Sequence, residues 1–377
     1  MGNREEIICI RIEGGEEEAV ENNQINIRRK ESKQFDIILT DDYDDDNNPI
    51  DDHHYYGSSN HGRISNNNQT SKRIMQEWKI LEKNLPDSIY VRVYEGRIDL
   101  LRAVIIGASG TPYHDGLFFF DIQFPSHYPN KPPKVYYHSF GYRLNPNLYG
   151  FGMVCLSLLN TWRGTENEKW NPSESNVLQI LLSIQALVLN AEPFFNEPAY
   201  NFGDLSTNLG YWKKKSLAYN EDTFVLSCRT MLAVLNKPPK HFEEFVAQHF
   251  CERAETILTA SKAYIDGKVK VGHHIPIENT ASSSFSSTIS GESHKKFQDS
   301  MGIIYSKLLL AFIKNGSSLE DYVGDNMDDH LSNNQVVLPE PEPSSNLIVW
   351  VLCGFVYIPL LVFFLVILPI IIIYSKP

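Results

Sequence analysis

Residues 117–160 read LFFFDIQFPSHYPNKPPKVYYHSFGYRLNPNLYGFGMVCLSLLN. The stretch holds an apolar run, Leu117 to Phe124, and a shorter one, Val135 to His138, both rich in the aromatic and β-branched residues that favour strands. A proline-dense turn separates the two runs, and a short Asn-Pro-Asn turn follows them. Cys155 lies eight positions after the last residue of that turn, in an apolar segment. The pattern predicts two strands that lead to a turn beside a single cysteine.

Cys155 is the candidate nucleophile of this segment. A thiolate is the best nucleophile among side chains at neutral pH, and a carboxamide N–H can bond the oxyanion that develops when a carbonyl is attacked. Asn147 is the candidate oxyanion donor. An isolated cysteine is more often a small buried hydrophobe. The pairing of Cys155 with Asn147 therefore indicates acyl transfer through a thioester.

Four motifs, in order and spacing, resemble those of the ubiquitin-conjugating enzymes. They are GASGTPYHDGLF at 107–118, FPSHYPNKPPKV at 124–135, the Asn-Pro-Asn turn with GMVCL at 152–156, and Trp162 followed by Trp170-Asn171-Pro172. The resemblance covers about half the chain, from Ile74 to Tyr264. The family usually has His as the first turn residue, where this chain has Asn145. In that respect it looks like the large subtype, which includes plant enzymes and hybrid conjugating-enzyme/ligase proteins.

The resemblance implies that Cys155 takes ubiquitin from the ubiquitin-activating enzyme as a thioester and passes it to a substrate lysine, with or without a ligase. It implies that Asn147 is the oxyanion donor and that Glu197 is an acidic gate for the incoming lysine. An exposed loop carboxylate without a role is the alternative for Glu197. The residues expected to support the site are Asn145, Pro146, Leu156, Trp162, Pro129, Pro132 and Pro133. No metal and no organic cofactor is expected, because the activating enzyme consumes the ATP.

Two other functions remain open at this stage. A catalytically silent domain of the same fold could tether ubiquitin or a ligase at a membrane, although the chain keeps Cys155, Asn147 and Leu156 together. The transferred modifier could also be another ubiquitin-like protein, which the sequence does not settle. A formal net charge of −12 argues against nucleic acid as the main partner, because phosphate binding needs clustered Lys and Arg.

The fold class predicted from the patterns is α+β, with helices packed against an antiparallel sheet, and the resemblance implies a UBC-like fold. The four predicted strands are Ile89 to Tyr94, Leu100 to Ile106, Leu117 to Phe124 and Val135 to His138. An amphipathic helix, Ser71 to Asn84, precedes them. A buried helix, Val177 to Leu189, follows them, capped by Ser173 or Ser175. C-terminal helices are predicted from His241 to Ile265 and from Met301 to Ile313.

The predicted organisation has five parts. They are an acidic disordered region over 1–70, a UBC core domain over 71–236, a helical extension over 237–277, a low-complexity linker with a short helix over 278–346, and a transmembrane helix over 347–373. The last of these carries no charge, and at about 1.5 Å per residue it can cross a hydrocarbon core of about 30 Å with some tilt. It resembles a tail anchor that leaves the domain on the cytosolic face of an intracellular membrane, with the endoplasmic reticulum as one candidate. Without such an anchor, a cytoplasmic protein with a buried hydrophobic tail is expected.

Overall fold

The computed structural model describes residues 32–39, 52–57, 68–197, 209–273, 292–319 and 322. Its centre is a mixed sheet whose strands follow each other in chain order. The strands are β1 (Phe35–Ile38), β2 (Ile89–Tyr94), β3 (Leu100–Ile106), β4 (Leu117–Gln123) and β5 (Lys134–Tyr137). Strands β2 to β5 pair antiparallel, each with the next. This confirms the predicted α+β class and the four strands that the sequence predicts.

The sheet also has a fifth strand that the sequence analysis does not predict. Strand β1 pairs in parallel with β2, with Phe35 opposite Val91. The predicted four-stranded, wholly antiparallel sheet is therefore wrong. The prediction of disorder over 1–70 is wrong for residues 32–39, and also for 52–57, where a turn buries His53 against the ring of Tyr94. The prediction of disorder depends on the average composition of residues 1–70. A strand of four residues is too short to change that average.

One face of the sheet carries the core beneath helices α1 (Asn68–Asn84) and α2 (Val177–Ser183). Helix α2 continues through a π-helical turn, Ile184–Val188. Ile74 and Leu81 of α1 are wholly buried, and so are Val177, Ile180, Leu181 and Ile184 in and after α2. The helix predicted over 177–189 is therefore confirmed, but the prediction that it is buried holds for one face only, since Leu182 is 38% and Leu187 63% exposed.

The predicted caps of α2, Ser173 and Ser175, are both wrong. Asn176 is the cap: its side chain accepts a hydrogen bond from Gln179 N at 3.0 Å, and the Gln179 side chain accepts one from Asn176 N at 3.1 Å. This reciprocal pair satisfies two of the donors that a helix start leaves open. The Ser175 hydroxyl instead accepts from Asn171 N at 2.9 Å.

Three longer helices complete the described chain. They are α3 (Leu209–Asn236), α4 (Glu243–Ile265) and α5 (Glu292–Lys314). Helix α4 confirms the prediction over 241–265, whereas α3 has no counterpart in the sequence analysis. Helix α5 begins before its predicted start at Met301, so the predicted linker is wrong over 292–300. His294 of α5 binds Glu221 of α3 across 2.7 Å, which joins these two helices.

The second face of the sheet is covered as well. Phe242, just before α4, lies with its ring centroid 5.3 Å from that of Phe119 and 4.4 Å from the Arg92 guanidinium. Phe245 lies 4.4 Å from the Tyr90 ring. The sheet is therefore enclosed between α1 and α2 on one side and the start of α4 on the other.

The predicted transmembrane helix over 347–373 lies outside the described residues. Among the helices of the described part, none is both long and apolar enough to cross a bilayer.

Candidate active site

Cys155 lies on a short extended segment that pairs with the Asn-Pro-Asn turn. Leu148 forms an antiparallel bridge with Val154, and Met153 forms one with Tyr136 of β5. The Cys155 N–H donates to the Asn147 carbonyl at 2.9 Å. The turn and the sheet together therefore fix the backbone that carries the thiol, and Cys155 is 3% exposed.

Asn147 is tied to the same cysteine by its side chain. Its Nδ2 donates to the Cys155 carbonyl at 2.9 Å. A carboxamide nitrogen carries two N–H groups, so the second one is not used by this bond. The Asn147 Oδ1 is buried and has no hydrogen-bond partner among the described residues. Two hydrogen bonds in opposite directions thus join Asn147 and Cys155, the pair that the sequence analysis singles out.

Asn145 holds the turn through all four of its side-chain bonding positions. Its Nδ2 donates to the Tyr113 hydroxyl at 2.9 Å and to the Val188 carbonyl at 2.7 Å. Its Oδ1 accepts from Asn147 N at 2.8 Å and from Asn196 Nδ2 at 3.3 Å. The side chain is wholly buried. One of these four bonds is local, to Asn147 N, and the other three tie the turn to residues distant in sequence.

The segment after the cysteine is held by Thr161. Its Oγ1 accepts from Leu156 N at 2.9 Å and donates to the Val154 carbonyl at 2.7 Å, so it binds the chain on both sides of Cys155. Leu156 is 7% exposed and belongs to the hydrophobic core. Trp162 is half-buried in the loop that follows.

The four prolines named as supports lie in two places. Pro129, after a cis peptide bond, accepts at its carbonyl a hydrogen bond from Trp170 Nε1 at 2.6 Å. Pro133 is buried and Pro132 half-buried between that turn and β5. Pro146 is buried in the Asn-Pro-Asn turn itself, and its carbonyl accepts from Arg143 at 3.4 Å.

Three charged or polar side chains act on the thiol. Burial raises the pKa of Cys155, while the Tyr149 hydroxyl and the charge of Arg143 lower it. The charge of Glu197 raises the pKa of Cys155 further. Glu197 is half-buried and follows a short 3₁₀ turn, Pro193–Asn196. The structure therefore brings Cys155, Asn147 and Glu197 into one site.

The sequence analysis missed Tyr149, Arg143 and Thr161. All three lie within a few residues of the turn or the cysteine. The sequence therefore indicated the right segment but not these three side chains within it. Spacing along an irregular loop does not tell which side chains face the sulfur.

A family model described as "Ubiquitin-conjugating enzyme" matches residues 73–203. Among relatives, "Probable ubiquitin-conjugating enzyme E2 24" of Arabidopsis thaliana is 49% identical over 67% of this chain and 26% of its own length. "Probable ubiquitin-conjugating enzyme E2 25" of the same plant is 57% identical over 52% of this chain and 32% of its own length. The human "Dual E2 ubiquitin-conjugating enzyme/E3 ubiquitin-protein ligase BIRC6" is 38% identical over 53% of this chain and 4% of its own length. The chain thus spans less than two thirds of each of these relatives.

Proposed function

We propose that this chain, whose residues 73–203 match the ubiquitin-conjugating enzyme family, carries ubiquitin on Cys155 and transfers it to substrate lysines. The observation that carries the proposal is the double hydrogen bond between Asn147 and Cys155. It fixes the buried thiol of Cys155 next to the Asn-Pro-Asn turn, beside a carboxamide whose second N–H is not used by this bond.

In the first step the Cys155 thiolate attacks the thioester that joins the C-terminal glycine of ubiquitin to the activating enzyme. A new thioester forms on Cys155, and the thiolate of the activating enzyme leaves. In the second step a lysine amine attacks this thioester, an isopeptide bond forms, and the Cys155 thiolate leaves as the amine loses its proton. The partners are ubiquitin, the activating enzyme, a substrate and, where one takes part, a ligase.

The acceptor lysine sets the need for an acidic group near Cys155. A free Lys has a pKa of about 10.4, so at neutral pH it arrives protonated and unreactive. Glu197 lies close enough for its charge to act on Cys155, and its carboxylate can accept a hydrogen bond from the ammonium group. We expect Glu197→Gln to slow discharge to lysine and to leave ubiquitin loading intact, with the exposed Glu192→Gln as the control. Equal discharge rates in both variants would remove Glu197 from the mechanism.

The direct test is loading of the full chain with ubiquitin, activating enzyme and ATP, read on a nonreducing gel. We expect a band that reducing agent removes. Cys155→Ser should give an adduct that resists reducing agent, because it is an oxygen ester, and Cys155→Ala should give none. Cys228→Ala is the matched control, since Cys228 is a wholly buried thiol in α3 and its loss should leave loading unchanged.

Two outcomes of this gel separate the alternatives. A folded protein that no activated modifier ever loads would be a silent binding module, and the enzyme proposal would fail. Loading by another ubiquitin-like protein in preference to ubiquitin would keep the chemistry and change the modifier. The same reactions with competing modifiers distinguish these cases.

We also propose that residues 347–373 attach the protein to a membrane with the domain on the cytosolic side. The support is the sequence, an uncharged apolar run long enough for a bilayer. After expression in cells, the full chain should stay in the membrane pellet through alkaline carbonate extraction, and a chain without these residues should not. Release of both into the supernatant would rule out an integral anchor.

A further inference from the structure

The gate turn, residues 190–197, is bonded to the Asn-Pro-Asn turn by the carboxamide of Asn196. Asn196 Nδ2 donates to Asn145 Oδ1 at 3.3 Å and to the Val188 carbonyl at 3.1 Å. Asn145 Nδ2 donates to the same carbonyl at 2.7 Å. Two carboxamides thus bond each other and share one acceptor. Because Asn196 directly precedes Glu197, these bonds tie the segment that carries the Glu197 carboxylate to the turn beside the cysteine.

The Val188 carbonyl is the shared acceptor because a helix ends there. The π-helical turn that continues α2 ends at Val188, and the last carbonyls of a helix find no partner within it. Val188 is 1% exposed, so a carbonyl left without a partner would cost free energy. Its oxygen has two lone pairs, which the carboxamides of Asn145 and Asn196 fill. Asn196 Oδ1 in turn accepts from Asn190 Nδ2 at 2.7 Å, so the Asn196 side chain is bonded at both its nitrogen and its oxygen.

Helix α3 also holds the gate turn. Asn220 Nδ2 donates to the Ala191 carbonyl at 2.9 Å. The ring centroid of Phe194 lies 6.2 Å from that of Trp212 and 5.9 Å from that of Tyr219. Helix α3 therefore fixes the start and the middle of the gate turn, and the carboxamide bonds described above fix its end.

We propose that Asn196 is a positioning residue that sets the place of the Glu197 carboxylate relative to the Cys155 thioester, so that an incoming lysine reaches both at once. The proposal rests on the proposed roles of Cys155 and Glu197. A carboxylate bonds the lysine nitrogen only within about 3 Å, and an error of about 1 Å in a reacting geometry is enough to slow a reaction strongly. As the carbon–nitrogen bond forms and the carbon–sulfur bond breaks, the ammonium proton leaves by way of the carboxylate to solvent. Asn196 itself touches no reacting atom.

The test is single-turnover discharge of the full chain, preloaded with ubiquitin on Cys155, to two nucleophiles. Lysine is protonated at neutral pH and needs the carboxylate, whereas hydroxylamine is largely unprotonated there and does not. For Asn196→Ala we expect discharge to lysine at pH 7 to slow about three- to tenfold, as for the loss of one hydrogen bond, and discharge to hydroxylamine to stay nearly unchanged. Raising the pH should bring the lysine rate back toward that of the native protein, since more of the amine then arrives deprotonated.

Asn315→Ala is the matched control. Asn315 is half-buried like Asn196, and its Nδ2 donates to the Ala247 carbonyl at 2.8 Å, where the end of α5 meets α4. Both of its discharge rates should be those of the native protein. The double variant Asn196→Ala/Glu197→Gln should discharge to lysine no more slowly than Glu197→Gln alone, because a residue that acts through the carboxylate loses its effect once the carboxylate is gone.

Equal slowing with both nucleophiles would overturn the proposal, because Asn196 would then support the whole site rather than the carboxylate. Additive losses in the double variant would overturn it too. Should Asn196→Ala fail to fold, Asn220→Ala loosens the same turn from α3, and the same criteria apply to it. Native rates in Asn196→Ala would refute this proposal alone, whereas a native protein that never loads would refute the function proposed for Cys155 and this proposal with it.

Discussion

Asn145 shows how one buried amide can organise the Asn-Pro-Asn turn. Its own turn meets two distant stretches of the chain at this side chain: the turn through Asn147, the loop before β4 through Tyr113, and the stretch after α2 through Val188 and Asn196. Because two donors and two acceptor positions are all used, no part of the buried amide is left unsatisfied. The ring of a histidine at this position would have to bond the same neighbours through different atoms. The neighbours of Asn145 are therefore arranged to bond a carboxamide.

Asn147→Ala tests whether the neighbouring amide acts on the reaction. If its second N–H bonds the oxyanion, lysine discharge should slow about 10²- to 10³-fold. The measurement is single-turnover discharge of preloaded protein, with the loading rate measured alongside it as the control for turn geometry. Near-normal discharge would leave Asn147 only as the tether of the Cys155 carbonyl, and a parallel loss of loading would show that the turn itself had changed.

Residue chemistry and spacing were enough to single out Cys155 and Asn147 as candidates, whereas Glu197 was named only because of the family resemblance. The roles of all three stay predictions. Residue chemistry and spacing could not identify Tyr149 or Thr161. Tyrosine and threonine are common in loops, and only the folded path of the loop decides which groups their hydroxyls reach, as with Thr161 and the backbone on both sides of Cys155.

The start of α2 is the clearest case of local bonding within an element. Asn176 and Gln179 bond each other reciprocally, whereas Ser173 bonds only within the preceding turn, to the Asn171 side chain. We expect Asn176→Ala to lower the free energy of unfolding by about 1 kcal/mol. The measurement is urea unfolding, with Ser173→Ala as the control that should change it by less than about 0.5 kcal/mol. Equal losses in the two variants would contradict the assignment of the cap.

Elements with a regular apolar pattern were predictable, and two others were not. Strands β2 to β4 and helix α4 have long apolar runs or stripes that give their position. Helix α3 begins with LGYWKKKSLAYNEDT, which mixes aromatic and charged residues without a clean stripe. The position of α3 is set by its packing against α5 and against the turn before it. The position of strand β1 is set by its pairing with β2. A prediction made from a short window of sequence does not detect long-range contacts of this kind.

At the scale of the whole molecule, α4 is joined to the turn between β3 and β4 by a buried polar cluster. His249 donates from Nε2 to the Asp115 carbonyl at 2.9 Å, and the Tyr264 hydroxyl bonds His114 at 3.1 Å. Asp115 accepts from His114 at 2.8 Å and lies 3.6 Å from Arg253. The C-terminal extension is therefore part of the domain rather than an appendage to it.

This cluster gives the fold a dependence on pH. Burial lowers the pKa of His249, and of the charges facing it, Asp115 and Glu252 raise that pKa and Arg253 lowers it. The unfolded chain therefore binds a proton that the folded one does not, so stability rises with pH through the range below about 6.5 and is lost on acidification.

We expect the free energy of unfolding in urea to be lower at pH 5.5 than at pH 7.5, and His249→Gln to reduce that difference. Some difference should remain, because burial also lowers the pKa of His54. His127 is exposed, so His127→Gln should leave the full difference in the free energy of unfolding between the two pH values. Greater stability at pH 5.5 in the native protein would contradict the assignment.

The enclosed second face of the sheet determines which fragments of this chain can be handled in solution. A fragment limited to the family match at 73–203 would lose Phe242 and Phe245, and would turn Phe119 and Tyr90 out to water. Such a truncated polypeptide should be prone to aggregate, and a low yield of it would say little about the function of the full chain. The shortest soluble piece should extend at least to the end of α4.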